Sequence, residues 1–415
     1  MSALAECAPS AWRAVDAETL LPVARAMARE LGVVRPANVT GLDRLGVPCW
    51  QAFRPAAADV PGNITVFNGK GWSHQQAELG ALVEGIERHF GEGPQLSAVA
   101  RPDGPLHRIA SRDELERQGA AFVDPSAVPL PVGIAAPERD RPLLWVQGHT
   151  GEREIWIGAH EVYSPYLCPE GVVDPGVWRS TGLAAGSDRA EAAFYGLLEV
   201  IERDADAVAQ FRRNPCSDLH IEQLATPRLK KLCLRLQAER ITLRVKTLPA
   251  LGGLSAFAAT LDDTELRDPM LLNMGTAAHV DPVLALESAV LEAVQSRATI
   301  IAGGREDMDC EQRDAAAYDE ARERCGRWFQ THCLRAYEPH ASPYEGLSPA
   351  HAFAAIAERI GRHGFTTVSV PLTPAGAPIA VVKVVVAGCS EVGAHGSVRL
   401  GRRFAVSRSS SESSL

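Results

Sequence analysis

Two copies of the motif Glu-x-x-Glu-Arg contain the residues whose types and spacing most directly suggest chemistry. The copies are Glu84, Glu87 and Arg88, and Glu199, Glu202 and Arg203. Glutamates three positions apart on a helix present both carboxylates to one region of space. Two such helices facing each other would bring four carboxylates together, and these would repel unless a cation neutralised them. The duplicated motif therefore predicts a cation site.

The cation that this pattern favours is Mg²⁺, which takes oxygen ligands and usually combines protein carboxylates with substrate phosphates. The arginines would then contact phosphate oxygens or hold the glutamates in place. A single Glu-x-x-Glu-Arg is common on solvated helix faces. Here both copies adjoin apolar helical stripes, and a partly buried carboxylate needs a partner. Duplication and burial together favour a magnesium-bound nucleotide over a solvated face.

A weaker third copy of the motif follows later in the chain, as Glu292-x-x-Gln295-x-Arg297. Glutamine replaces the second glutamate, and the arginine comes one position later than in the strong copies. We expect this segment to end a third long helix beside the other two. The three helices would then enclose one polar site.

Glycine-rich stretches precede both strong copies and are predicted as loops. In Asn68-Gly-Lys-Gly, the glycines allow close approach of the backbone to a phosphate, and Lys70 supplies positive charge. Residues 182–187 offer backbone N–H groups and the Ser187 hydroxyl before a helix, which is a natural anion site. Neither is a P-loop, because Gly-x-x-x-x-Gly-Lys-Ser/Thr is absent. Each stretch alone also fits an ordinary tight turn.

Composition limits the remaining possibilities. The chain has 415 residues, of which 46% are apolar and 22% charged, as in a globular protein. A net charge of −9 argues against a broad nucleic-acid footprint. We see no signal peptide and no apolar run long enough for a membrane span. Nine cysteines without a Cys-x-x-Cys pair fit a reducing, cytoplasmic location. No Gly-x-Ser-x-Gly nucleophile motif occurs.

The elements that must position these motifs are long helices alternating with runs of strands. Apolar periodicity predicts helices at residues 17–31, after Ser73, through the second motif to Asp204, and at residues 276–300 with an Asp281 cap. This pattern favours an α+β fold over a doubly wound parallel sheet. We divide the chain into an N-terminal region (1–62), a catalytic domain (63–395) and a polar, disordered tail (396–415). The best strand candidates are residues 143–150, 153–163, 241–250 and 255–263.

The order of these segments resembles the YcaO family of ATP-utilising enzymes. The resemblance covers about residues 65–390, from NGKGWSHQQAELGALVEGIER through TGLAAGSDRAEAAFYGLLEVIERDA and LESAVLEAVQSR to PIAVVKVVVAG. It implies a YcaO-type fold of mixed and antiparallel sheets, with long helices enclosing an ATP site. The sequence departs from the family pattern at Gly80 and Ala184, where hydroxylated residues are usual.

The resemblance also implies roles for individual residues, with ATP and Mg²⁺ as cofactors. Four glutamates would hold Mg²⁺, two of them would also be catalytic together with an arginine of the third motif, and further side chains would contact nucleotide. The implied metal ligands are Glu84, Glu87, Glu199 and Glu202. The implied catalytic residues are Glu199, Glu202 and Arg297. The implied nucleotide contacts are Lys70, Arg88, Ser187, Glu191, Arg203 and Gln295, with Arg297 also expected near the phosphates.

YcaO enzymes activate a peptide backbone amide by phosphorylating its oxygen, after which a nucleophile adds to the carbon. This chain ends in RSSSESSL, without the Pro-rich tail of many azoline-forming members. The segments LGVVRPANVTGLDRLGVPCWQAFRP and QSRATIIAGGREDM look like the branch associated with TfuA-like partner proteins and peptide thioamidation. Thioamide formation is therefore our first expectation, with a sulfur donor, a TfuA-like partner and a homodimer. The alternatives are azoline or amidine formation, or a non-catalytic peptide-binding scaffold.

Overall fold

The computed structural model describes residues 12–55, 65–93, 104–212, 216–303, 315–337, 342–393 and 397–404. Ten α-helices occur within these ranges. They are α1 (Ala17–Glu30), α2 (His74–Gly91), α3 (Arg112–Arg117), α4 (Ala159–Val162), α5 (Arg189–Phe211), α6 (Pro227–Ala238), α7 (Pro282–Ile301), α8 (Ala315–Arg324), α9 (Gly326–Phe329) and α10 (Pro349–Gly361). No helix of the described ranges is both long and apolar enough to cross a membrane.

Sixteen β-strands form four sheets in the described part of the chain. They are β1 (Val34–Asn38), β2 (Cys49–Phe53), β3 (Val66–Lys70), β4 (His107–Ala110), β5 (Leu143–Thr150), β6 (Arg153–Gly158), β7 (Leu183–Gly186), β8 (Asp218–His220), β9 (Ile241–Thr247), β10 (Ser255–Asp263), β11 (Leu272–His279), β12 (Leu334–Ala336), β13 (Thr366–Pro371), β14 (Ala380–Ala387), β15 (Glu391–Val392) and β16 (Val398–Arg399). The strands predicted at 143–150, 241–250 and 255–263 are present, and the one predicted at 153–163 ends at Gly158.

The sheets are mixed and antiparallel, so the predicted α+β class is confirmed. The three larger sheets have the strand orders β1-β2-β3, β11-β10-β9-β8-β12 and β4-β5-β13-β14-β7, with β6 paired to β5 in the last. Strands β15 and β16 form a small hairpin sheet. Only β8 and β12 pair in parallel among the described strands. Strands β1 and β2 share a sheet with β3, so the predicted N-terminal region and catalytic domain are joined by strand pairing.

Three long helices share one local plan, in which a strand leads through a short turn into a helix that packs back on it. Strand β3 leads into α2, β7 into α5 and β11 into α7. The approach requires glycine, because a Cβ on Gly69 would lie 1.9 Å from the carbonyl oxygen of Ala77, and one on Gly275 would lie 2.3 Å from the Ala293 nitrogen. The side chains that cap these helices are Ser73, Asp188 and Asp281.

Apolar side chains of these units pack into three large clusters. One joins α1 and α2 to the six-stranded sheet, the second joins α6 and α7 to the five-stranded sheet, and the third lies between α5, α10 and β14. Each long helix therefore turns its apolar stripe toward a sheet or a neighbouring helix. The polar side chains on their other faces line a common cavity.

Three stretches differ from the sequence expectations. Residues 68–70 end strand β3 instead of forming a loop, and Leu183–Gly186 forms β7 instead of a tight turn. Residues 276–279 end β11, so helix α7 begins only at Pro282. Glycine-rich strands read as turns in sequence because the partners that stabilise them are distant, as β14 is from β7.

The predicted tail is partly ordered. Within it, Val398–Arg399 pairs with β15, and Arg403 Nη1 lies 2.7 Å from Asp204 Oδ2. Residues 405–415 and most of the turn predicted at 303–309 lie outside the described residues.

Candidate active site

A cavity of about 1290 Å³ lies where the polar faces of α2, α5 and α7 meet. One side carries charged side chains of the three motifs, and the other consists of loop and hairpin residues that no sequence motif identified. Glu202 is buried and lies beside Arg203 of the lining. The predicted site residues that line the cavity are Lys70, Glu84, Glu87, Arg88, Glu199, Arg203 and Gln295.

The first glutamate of each strong motif is held by the chain just before its own helix. Asn68 N–H donates to Glu84 Oε2 at 2.6 Å, and Gly182 N–H donates to Glu199 Oε2 at 3.0 Å. These contacts need the close strand–helix approach that Gly69 permits in the first unit. Each carboxylate thus keeps one oxygen anchored and leaves the other for a further partner.

The second glutamate of each motif reaches the strand of the next unit. Ala185 N–H of β7 donates to Glu87 Oε1 at 2.7 Å. Thr276 Oγ1 of β11 donates to Glu202 Oε1 at 2.6 Å. The carboxylates therefore connect the three strand–helix units to one another, so their positions depend on the whole arrangement and not on one helix.

The motif arginines hold these glutamates only loosely. Arg88 Nη2 lies 3.9 Å from Glu84 Oε1, and Arg203 lies 3.8 Å from both Glu199 Oε1 and Glu202 Oε1. These distances exceed those of direct charge-assisted hydrogen bonds. Both guanidinium groups line the cavity and retain capacity to donate to an anionic ligand.

Glu292 is a site residue that the sequence reasoning placed in the third motif without assigning it a role. Its Oε2 lies 3.0 Å from Lys70 Nζ, and the main chain at Thr276 hydrogen-bonds its carboxylate. This repeats the contact of Glu84 and Glu199 with their own preceding strands. The sequence did contain a signal for this role, because Glu292 occupies the position of the first glutamate in each strong motif. The three motifs therefore bring five glutamates to the cavity or next to it.

Burial governs the protonation of these carboxylates. It raises the pKa of Glu84, and it raises the pKa of both Glu87 and Glu202 to about 8. Burial acts in the same direction on Glu292, but Lys70 and Arg203 together hold its pKa below the usual value. Neighbouring glutamates add to the increase at Glu87 and Glu202. Such groups ionise readily only when extra positive charge is near.

The donor set fits a hard divalent cation. Among the described residues, no three His, Cys, Asp or Glu side chains converge closely enough to form a ready metal cluster. The carboxylates are instead anchored by N–H and O–H donors, each with an oxygen left over. Raised pKa values of buried carboxylates mean that a bound cation would replace protons there, and oxygen-only ligands suit Mg²⁺.

Ser187 and Glu191 lie together outside the cavity lining. Ser187 Oγ donates to Glu191 Oε2 at 2.6 Å, and Arg13 Nη1 lies 2.7 Å from Glu191 Oε1. The Arg13 guanidinium also stacks over Tyr195, at 3.9 Å from the ring centroid, and Tyr195 lines the cavity. The nucleotide contacts expected of Ser187 and Glu191 stay predictions.

Arg297 is placed differently from the expectation. It is 1% exposed and does not line the cavity. Its Nε lies 3.1 Å from Asp43 Oδ1, and its Nη1 lies 2.9 Å from Asp263 Oδ2. The placement does not support contact with phosphates or a catalytic role. Arg297 lies instead in a buried ion-pair network, and its expected catalytic role stays a prediction.

The two departures from the family pattern both lie close to the cavity. Ala184 lines it directly. Gly80 packs on β3, where a Cβ would lie 3.3 Å from the Cα of Gly69. A side chain there would be tight against the strand that carries Asn68 and Lys70.

Comparison with known proteins places this site in a family. A family model described as YcaO cyclodehydratase, ATP- and Mg²⁺-binding, matches residues 68–390. An uncharacterised protein of Methanothermobacter thermautotrophicus is 34% identical over 302 residues, which are 72% of this chain and 74% of that protein. A protein of Rhizobium leguminosarum bv. trifolii, named as uncharacterised in the tfuA 3′ region, is 29% identical over 94% of this chain and 91% of its own length.

Solved structures share the fold. The YcaO structure from Methanopyrus kandleri bound with AMPPCP and Mg²⁺ has a TM-score of 0.70 at 22% identity, over 94% of this chain and 96% of that one. A heterocyclase in complex with substrate and cofactor has a TM-score of 0.73 at 19% identity, over 92% of this chain and 53% of that one. The chain belongs to the YcaO family, whose model is one of ATP- and Mg²⁺-binding enzymes.

Proposed function

We propose that this protein uses ATP and Mg²⁺ to phosphorylate the oxygen of a backbone amide in a peptide or protein substrate, with release of ADP. Sulfide then adds to the amide carbon, and the C–O bond breaks to release inorganic phosphate and leave a thioamide. The observation that carries the proposal is the convergence of the five motif glutamates with Lys70, Arg88 and Arg203 at one cavity. The acidic residues would repel one another on their own. In a metal–triphosphate complex, the metal supplies positive charge to the glutamates and the phosphates supply negative charge to the basic residues.

The chain's own residues bind and orient the reactants. The anchored carboxylates fix the position of the cations, which when bound would neutralise charge on the transferring phosphoryl group. Lys70, Arg88 and Arg203 donate to phosphate oxygens. Lys70 must exchange part of its contact with Glu292 for this, and Glu292 in turn keeps Lys70 extended into the cavity before nucleotide arrives.

The choice of thioamide formation rests on the relative named for the tfuA 3′ region, which matches this chain over nearly its whole length. The runner-up is azoline formation by attack of a Cys, Ser or Thr side chain, which is supported by fold similarity to a heterocyclase. An amidine-forming reaction uses the same activated amide with an amine. All three products share the activation step and differ in the nucleophile.

Peptide mass spectrometry separates these outcomes. The full-length protein is incubated with a peptide substrate, ATP, Mg²⁺, sulfide and a TfuA-like protein. Exchange of oxygen for sulfur supports the proposal, and loss of one water per site identifies a cyclising enzyme. An unmodified peptide with no ATP consumption contradicts amide activation altogether.

A non-catalytic scaffold is the remaining alternative, since Gly80 and Ala184 depart from the family pattern. Isothermal titration with Mg·ATP tests it directly, because a scaffold need not bind nucleotide. Glu199→Gln keeps the shape of the side chain and its contact with Gly182, but removes a negative charge. We expect this variant to fold normally and to lose ATP turnover. Undiminished turnover would remove Glu199 from the proposed metal site.

A further inference from the structure

Part of the cavity lining comes from loop and hairpin residues outside the motif helices. This side of the lining includes residues 176–180, the β15–β16 hairpin and Ser164-Pro165. The whole cavity, at about 1290 Å³, exceeds the roughly 300–1,000 Å³ of a typical small-molecule site. There is room for a second ligand beside a nucleotide.

The charges on this side are already balanced by close ion pairs. Arg179 Nε lies 2.8 Å from Glu161 Oε2, and Arg179 Nη1 lies 3.1 Å from Glu391 Oε2. Arg399 Nη1 lies 3.3 Å from Glu161 Oε1, and all four side chains are buried. Unlike Arg88 and Arg203, these cations are fully engaged. The second ligand that this side accepts is therefore one without net charge at the point of contact.

The main chain of residues 177–180 is unusually open to pairing. The segment belongs to no helix, strand or turn, and its side chains alternate between buried and more exposed, as in extended chain. Among the described residues, none accepts a hydrogen bond from the N–H groups of residues 177–180, and none donates one to the carbonyls of Val177 and Trp178. The fully buried Lys383 anchors the segment, because its Nζ donates a hydrogen bond to the Arg179 carbonyl at 2.7 Å.

This segment leads directly to the glutamates. It continues through Gly182, whose N–H holds Glu199, into β7, which is the edge strand of the six-stranded sheet. Ser180 and Gly182 are two positions apart, which is at most about 7 Å between Cα atoms in an extended chain. A ligand paired along residues 177–180 therefore lies within reach of the metal-side carboxylates.

Trp178 supplies the side-chain contact. Its indole is 39% exposed and lines the cavity, although its neighbours Val177 and Arg179 are buried. Tryptophan combines a large apolar face with an N–H donor, and such residues often dominate recognition of a peptide. The ion pairs of Arg179 anchor the residue that follows Trp178.

We propose that residues 177–180 are the docking edge for the substrate peptide, which adds as a strand along this main chain and packs a side chain on Trp178. This is recognition by main-chain hydrogen bonds, with the sequence tolerance that strand addition allows. The proposal rests on the proposed function for the identity of the ligand as the substrate. It brings a backbone amide toward the glutamates, since the chain continues from this segment to Gly182, whose N–H holds Glu199.

Hydrogen–deuterium exchange on the full-length protein tests the docking edge. The probe is a mixture of short unstructured peptides, added with Mg²⁺ and a non-hydrolysable ATP analogue. We expect the amides of residues 177–180 to exchange more slowly only when peptide is present. The matched probe is the same mixture N-methylated at alternate residues, which keeps the side chains and removes the donors; it should give no protection.

Affinity selection of the same mixture provides the variant test. Trp178→Ala should lower peptide retention by about tenfold or more, as for a central aromatic contact. Leu234→Ala, which truncates a 68% exposed residue on α6 outside the cavity lining, is the control and should retain peptide normally. Equal retention by the Trp178 variant, equal binding of the N-methylated mixture, or no retention by the wild type would each overturn the proposal.

The outcomes also separate this proposal from the proposed function. If peptide slows amide exchange at residues 177–180 but no ATP-dependent modification occurs, the docking edge is supported and the amide-activating role is contradicted. If ATP-dependent modification is unaffected by Trp178→Ala and by N-methylation away from the modified amide, the proposed function is supported and the docking edge is contradicted.

Discussion

Replacing Arg297 by methionine should destabilise the fold and spare the nucleotide site. The change removes the guanidinium from between Asp43 and Asp263, which are 8% and 1% exposed. Asp263 keeps Arg44, whose Nη2 lies 3.0 Å away, but Asp43 loses the only ion-pair partner found among the described residues. Removing one partner of a buried pair costs about 3–5 kcal/mol, chiefly because a buried charge is left without compensation.

That energy converts to a measurable change in melting temperature. An unfolding entropy of about 2.1 cal/mol/K per residue gives about 0.9 kcal/mol/K for a chain of this length that unfolds as one unit. The midpoint should therefore fall by about 3–6 °C. Differential scanning fluorimetry measures it, and isothermal titration well below the midpoint measures Mg·ATP affinity. The affinity of the folded variant should stay close to that of the wild type.

Two comparisons make this test specific. Adding Asp43→Asn to Arg297→Met should recover part of the lost stability, because the stranded charge is removed together with its partner. Arg203→Met should behave in the opposite way, losing nucleotide affinity with a smaller change in midpoint, since Arg203 is 36% exposed and only loosely paired. An Arg297→Met protein with an unchanged midpoint and lost nucleotide affinity would refute the reasoning and restore the catalytic expectation.

Three further outcomes follow from the same geometry. Thr276→Val removes the hydroxyl that orients Glu202, so the Mg²⁺ concentration for half-maximal ATP turnover should rise about 10–100-fold. Thr276→Ser keeps the hydroxyl and is the control. An unchanged Mg²⁺ requirement in Thr276→Val would show that Glu202 is not part of the metal site. Gly69→Ala should fail to give folded protein by circular dichroism because its Cβ would overlap the helix, whereas Gly41→Ala, with open space around it, should fold. Burial lowers the pKa of His279 to about 3, so the unfolded chain binds more protons between pH 6.5 and 3 and stability falls as pH falls through that window. Protonation of His279 in the unfolded chain should lower the free energy of unfolding at pH 5 by about 2 kcal/mol relative to neutral pH. Urea titrations of His279→Asn should lack this loss of stability; an equal pH dependence in both proteins would contradict the assignment.

The sequence was sufficient for the parts of this protein that depend on local pattern. Apolar periodicity and cap residues located α1, α2 and α7, because an amphipathic stripe and a Ser73 or Asp281 cap act over a few residues. It was insufficient for β7, whose small residues show no strand pattern until β14 pairs with them. The pairing of β2 with β3, which links the predicted N-terminal region to the predicted catalytic domain, was equally hidden in the sequence.

The candidate site shows the same division. The duplicated glutamates and arginines could be identified from their spacing. The third motif indicated Glu292, which is equivalent in position to Glu84 and Glu199. Arg297 carried the right residue type, but only tertiary packing placed it between two buried aspartates instead of in the cavity.

The sequence by itself determined which side chains carry charge, how they repeat and which family they match, because residue type and spacing are written along the chain. Tertiary structure alone decided which oxygen of each glutamate is held, which arginine stays available, and that the N–H groups of residues 177–180 have no partner among the described residues. These properties depend on contacts between segments far apart in sequence. No local pattern can encode them, since each arises only when the three strand–helix units pack against one another.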